Sequence, residues 1–117
     1  MKHETINYLE FATTDIRETQ TFFETVFGFS FQAWGDDYID FADEQINGGF
    51  FSADQVVRAN EGAPLIVFYS NNLTETQNKI LKAGGSLSKP IFSFPGGKRF
   101  HFIEPGGNEM AVWSDKD

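Results

Sequence analysis

The sequence predicts an α+β fold of two βαβββ modules, forming a curved mixed sheet around a concave cleft with the helices outside. Three observations lead there. The chain repeats itself at an offset of 57 residues. Each copy opens on a short apolar run, passes through a stripe of helical period, and continues through three strand-like runs. Glycines and capping residues punctuate the joins. In the repeat, Phe11 falls on Phe68, Glu18-Thr19-Gln20 on Glu75-Thr76-Gln77, and Gly28 on Gly85. Asp15-Ile16 falls on Asn72-Leu73 and Leu9 on Ile66; at an offset of 58, Gly48-Gly49 falls on Gly106-Gly107. A spacing shared by several identities marks a duplicated unit.

Each element has a local reason. The first strand of each copy spans about 6–11 and 65–69, both apolar. Thr14 or Asp15, and Asn71 or Asn72, supply a side-chain oxygen for the free amides that begin a helix. Ile16, Phe22, Phe23, Val26 and Phe27 form one helical stripe, and Leu73, Ile80 and Leu81 the other. Gly28, then Gly84-Gly85, suit the left-handed residue that ends a helix. Strands follow at about 30–34, 38–41 and 48–51, with "GDD" as a turn, and at about 87–90, 100–103 and 109–113. One 117-residue domain results, with module one at about 4–54 and module two at about 63–115. The segment "SADQVVRANEGAP" links them and is placed to lie over the cleft.

Composition narrows the function classes. The 14 Phe, 3 Tyr and 2 Trp reach 16% of the chain, enough to fill a core and also to wall a small-molecule pocket. A net charge of −8 without a basic cluster disfavours nucleic acid, which needs Lys and Arg to displace counterions. It favours neutral or cationic ligands. No apolar run approaches the roughly 20 residues of a membrane span. The start "MKHETINYLEF" lacks a signal-peptide core. The expectation is a cytoplasmic protein with no membrane partner. Zero cysteines exclude disulfide and thiol chemistry.

The stretches "INYLEF", "TDIRETQTFFETVFGFSF", "KAGGSL" and "GGKRFHFIEPGGNEMAVW", in this order and spacing, resemble the vicinal oxygen chelate superfamily. That superfamily includes glyoxalase I, fosfomycin- and bleomycin-resistance proteins and extradiol dioxygenases. The likeness is strongest to its short glyoxalase-like branch and covers nearly the whole chain. It implies a homodimer with clefts shared between chains, and a divalent metal held by donors on the first and last strands of each module. At those places stand Tyr8, its repeat partner Leu65, Ala111, and a counterpart near Phe51 to Ala53. Only Tyr8 offers a donor, and a neutral phenol is a poor ligand for such an ion. The expectation is therefore no metal and no cofactor. A displaced site would draw on Glu10, His101 and Glu109, with His3 a further candidate near the terminus.

Strand alternation turns Leu9, Phe11, Phe100, Phe102, Met110 and Val112 towards the helices. Tyr8, Glu10, Arg99, His101, Ile103, Ala111 and Trp113 then face the cleft, and Trp34 and Tyr38 rim it beside a turn. The candidate ligand-binding residues are thus Tyr8, Glu10, Trp34, Tyr38, Arg99, His101 and Trp113. Glu10 and His101 are the catalytic candidates. Glu10 is equally placed to pair with Arg99 as a structural ion pair, and Lys98 and Arg99 to lie in a mobile loop after "PGG". Three functions fit. The first is a metal-independent small-molecule-binding protein with an aromatic cleft. The second is a glyoxalase-like lyase or isomerase acting on a small carbonyl compound, using a displaced metal or Glu10 as a base. The third is an oligomerisation or regulatory domain with a vestigial pocket.

Overall fold

A computed structural model describes residues 1–43 and 45–116. The first module holds β1 (Tyr8–Thr13), α1 (Ile16–Phe27), β2 (Ser30–Ala33), β3 (Tyr38–Ala42) and β4 (Asn47–Ser52). The second holds β5 (Val67–Tyr69), α2 (Leu73–Lys82), β6 (Ser86–Phe94), β7 (Gly97–Ile103) and β8 (Glu109–Ser114). The modules form two four-stranded sheets, ordered β1-β4-β3-β2 and β5-β8-β7-β6. In each, the first strand runs parallel to the last and the remaining pairs are antiparallel. The fold is α+β and the βαβββ unit occurs twice. No helix among the described residues is long and apolar enough to cross a membrane.

The duplication extends to single atoms. Asp15 accepts the Glu18 amide at 3.1 Å and Asn72 accepts the Glu75 amide at 3.1 Å, which selects the second capping candidate in each copy. One residue pair earlier, the hydroxyls of Thr13 and Ser70 accept the Asp15 and Asn72 amides, each at 3.0 Å. Gly28 ends α1 with a φ of 70°, a left-handed conformation that suits a residue without Cβ. After α2 the left-handed residue is Gly84, not Gly85.

Burial follows the apolar stripes. Phe22, Phe23, Ile39, Phe50, Ile80, Phe100, Phe102 and Val112 are fully enclosed. Leu81 departs from the expected stripe and is exposed, because α2 is short and turns one narrow face to its sheet. Rings of α1 cross between modules: Phe27 stacks on Phe68 with centroids 4.1 Å apart, and Phe22 on Phe102 at 5.8 Å. Offset stacks of this kind add to the burial of the rings themselves.

A polar latch joins the modules beside that seam. The turn between β7 and β8 carries Glu104, which is 1% exposed. Its Oε1 accepts the Thr19 hydroxyl at 2.8 Å and the Gly106 amide at 2.6 Å; its Oε2 accepts the Asn108 side-chain amide at 2.8 Å. The Thr14 amide donates to the Gly106 carbonyl at 3.0 Å, and Asn108 Nδ2 to the Ala12 carbonyl at 2.8 Å. A Cβ on Gly106 would overlap the Thr13 and Thr19 hydroxyls, so the turn can approach β1 and α1 this closely only with glycine there.

Three readings are corrected by the strands and their register. Glu10 pairs with Gly49 and Val67 pairs with Ala111, so Ala111 matches Gly49, not a residue at 51–53. Gly48-Gly49 lies within β4 whereas Gly106-Gly107 lies in a turn, so the glycine match at offset 58 joins unlike positions. Lys98 and Arg99 belong to β7, paired with Ser114 and Trp113, and not to a loop.

Candidate functional site

On the first sheet, period-two alternation sends Phe11, Ile39, Phe41 and Phe50 to the core. Tyr8, Glu10, Tyr38 and Asp40 are left on the opposite face. Glu10, Gly49 and Asp40 stand in one row across β1, β4 and β3. The absent side chain at Gly49 gives room for two phenols, since a Cβ there would overlap the hydroxyls of both Tyr8 and Tyr38. Those hydroxyls bond to each other, and Tyr38 donates to Glu10 Oε2 at 2.9 Å. Burial, reinforced by the bonds to Tyr8 and Glu10, pushes the Tyr38 phenol well above its ordinary range. It therefore stays protonated and remains a donor. Beside it, Trp34 Nε1 donates to Asp40 Oδ2 at 3.0 Å, which ties the turn tip to the same acidic face.

The corresponding face of the second sheet is basic and aromatic. Arg99 Nε donates to His101 Nε2 at 3.2 Å. The Arg99 guanidinium also lies 5.9 Å from the centroid of Phe92 and 5.7 Å from that of Phe94, within cation–π range. Burial, followed by the charges of Arg99 and Lys89, lowers the His101 pKa, although Glu109 opposes this. The imidazole is thus neutral near pH 7 and free to accept from Arg99. Trp113 meets Tyr69 edge-on at 5.2 Å and Phe94 at 6.2 Å.

The seven predicted ligand-binding residues therefore fall into two groups on two sheets: Tyr8, Glu10, Trp34 and Tyr38 on one, and Arg99, His101 and Trp113 on the other. Among the described residues, no hydrogen bond, ion pair or ring contact joins the groups. The Glu10–Arg99 ion pair does not form, because Tyr38 engages the carboxylate and His101 with two phenyl rings engages the guanidinium. Nor, among the described residues, does a hydrogen bond or ion pair join the catalytic candidates Glu10 and His101. Phe92, Phe94 and Asp40 are site residues that the sequence reading missed. All three carry a legible signal, the alternation "FSF" after Ile91 and the i+2 step from Tyr38.

The donor positions implied by the superfamily do not fit a metal. Tyr8 spends its hydroxyl on Tyr38, Ala111 is apolar and fully buried, and its first-module match is Gly49. Among the described residues no three His, Asp or Glu side chains gather in a way that could hold an ion, and this includes Glu10, His101 and Glu109.

Known proteins place this geometry. Solved structures with the same fold include a glyoxalase-related enzyme from Fulvimarina pelagi, with a TM-score of 0.79 at 13% identity, covering 96% of this chain and 88% of that one. A genomically encoded fosfomycin resistance protein from Listeria monocytogenes, complexed with Mn(II) and 1S,2S-dihydroxypropylphosphonic acid, has a TM-score of 0.79 at 14% identity, covering 96% and 90%. A lactoylglutathione lyase from Agrobacterium tumefaciens has a TM-score of 0.71 at 16% identity, covering 97% and 96%. No curated protein sequence matches significantly. At these identities the structures speak for the fold alone. The family model for the Glyoxalase/Bleomycin resistance protein/Dioxygenase superfamily matches residues 5–112, and with nearly the whole length covered this chain belongs to that superfamily.

Proposed function

We propose that the chain is a small-molecule-binding protein that works without a metal, its ligand held in a cleft between aromatic sheet faces. One observation carries the reading: Tyr8, at a strand position where the superfamily places a metal donor, is bonded to Tyr38, which in turn donates to Glu10. The rings around it stay open to a ligand. Tyr8 is 39% exposed and Trp34 61%.

The cleft is completed by a second copy of the chain, the first-module face of one protomer opposing the second-module face of its partner. Support comes from the complementary charge of the two faces, Glu10 and Asp40 on one and Lys89 and Arg99 on the other, since such pairing fixes register and partner choice. The two-fold symmetry of a homodimer would form two such clefts at once. Binding a planar aromatic cation through stacking and cation–π contact suits the phenol-rich side.

The test is a screen of aromatic ligands by Trp fluorescence, with and without EDTA, run alongside light scattering for mass. Binding should survive EDTA, occur in a dimer, and weaken about fivefold in Tyr38→Phe, the loss of one hydrogen bond. Binding that EDTA abolishes, or turnover of a small carbonyl compound that needs added metal, would overturn the reading.

A further inference from the structure

A cavity of about 330 Å³ lies between the modules and under the linker, bordered by Glu10 of the first sheet's acidic face. Its apolar walls are Leu9 and Phe11 of β1, Ile66 before β5, Met110 of β8 and Val56 of the linker. Protein interiors are close-packed, so a seam space of this size that the chain's own side chains leave open is large enough for a small ligand.

Its polar lining is unusual. Glu109 reaches it from β8 and Glu10 from β1, while among the described residues no Lys, Arg or His lines it. Burial alone would raise the Glu109 pKa. The Ser88 hydroxyl, the amides of Asn60 and Ala59, and nearby His101 outweigh that and lower it, so the carboxylate is charged at neutral pH. Yet Glu109 Oε1 is buried without a hydrogen-bond partner, the only such side-chain atom among the described residues. A buried, unpartnered acceptor is costly, and more so when charged. The neighbouring donor cannot relieve it, since the Asn108 side-chain amide is committed to the Ala12 carbonyl and to Glu104, both at 2.8 Å.

We propose that this cavity binds a small organic cation, its ammonium or amidinium head donating to Glu109 Oε1 and its apolar body packed against Leu9, Val56 and Met110. The second carboxylate, Glu10, adds to the attraction, as does the net charge of −8. The head group supplies the hydrogen bond that the protein leaves unmade.

Phenethylamine serves as the probe and phenethyl alcohol as its uncharged counterpart, titrated into the full chain and followed by amide NMR. The amine should shift the amides of Val56, Asn60 and Met110 and bind about tenfold or more tightly than the alcohol. Glu109→Gln should lose that preference. Val56→Phe, which fills the cavity and keeps the carboxylate, should block binding while leaving the remaining spectrum intact. Equal binding of amine and alcohol, undiminished binding in Glu109→Gln or Val56→Phe, shifts confined to Trp34 and Tyr38, or no shift at all would each overturn the proposal.

Discussion

In the first module the hydroxyls of Thr13 and Thr19 stand 2.7 Å apart and are fully buried; in the second, those of Ser70 and Thr76 stand at the same 2.7 Å but are only partly buried. The local chemistry is identical, from the capping carboxylate or amide to the amide it accepts. What differs is the neighbour. The β7–β8 turn lays Glu104 and Gly106 onto the first pair, so an exposed helix-start motif becomes half of an inter-module latch. Duplicated local motifs therefore say little about duplicated packing. One turn of a few residues gives the two copies different roles, a clamped one and an open one.

The largest effect should come from breaking the clamp. Glu104→Ala strands several buried donors at once and should cost about 3–4 kcal/mol of stability by chemical denaturation. Thr19→Val, which removes one hydroxyl from the same network, should cost about 2 kcal/mol. Its repeat counterpart Thr76→Val should cost less than about 1 kcal/mol, because water reaches that pair. Equal costs for the two threonines would mean that the latch adds nothing to the motif.

The caps sharpen the comparison from the other side. Asp15→Ala and Asn72→Ala should each cost about 1 kcal/mol and differ little, since both serve only their own helix. A smaller signal lies in pH. His101 is held neutral in the fold, with its pKa below 6.5, so the unfolded chain takes up a proton first as pH falls. Its stabilising share is complete above about pH 6.5 and is lost progressively below, at no more than about 1.4 kcal/mol per pH unit. His101→Gln, which still offers Arg99 an acceptor, should flatten the stability profile between about pH 5 and 6.5.

Much of this was legible in the sequence. Alternation placed Tyr8 and Glu10 opposite Leu9 and Phe11, and Arg99 and His101 opposite Phe100 and Phe102, because a strand offers only two faces. The repeat located both helices and both caps. Two kinds of information were not legible. Partner choice across the chain was one: Glu10 and Arg99 are complementary charges, but pairing needs proximity, and β1 and β7 lie in different sheets. The Glu104–Thr19 contact was the other, since it joins residues 85 apart in sequence through a turn that looks like any Pro-Gly-Gly connection. Ala111 falls on β8, the last strand, where the sequence placed it. Its partner was misplaced, because the repeat drifts in register before the final strand.

We propose a metal-free centre in which Tyr8, at a donor place, is held by Tyr38 and Glu10. It is tested most directly by elemental analysis of the purified chain after dialysis against excess Zn²⁺, Mn²⁺, Fe²⁺ or Ni²⁺ and washing. The account predicts that no ion is retained. About one ion held per chain would contradict it and would require a donor set that includes Glu10 released from Tyr38.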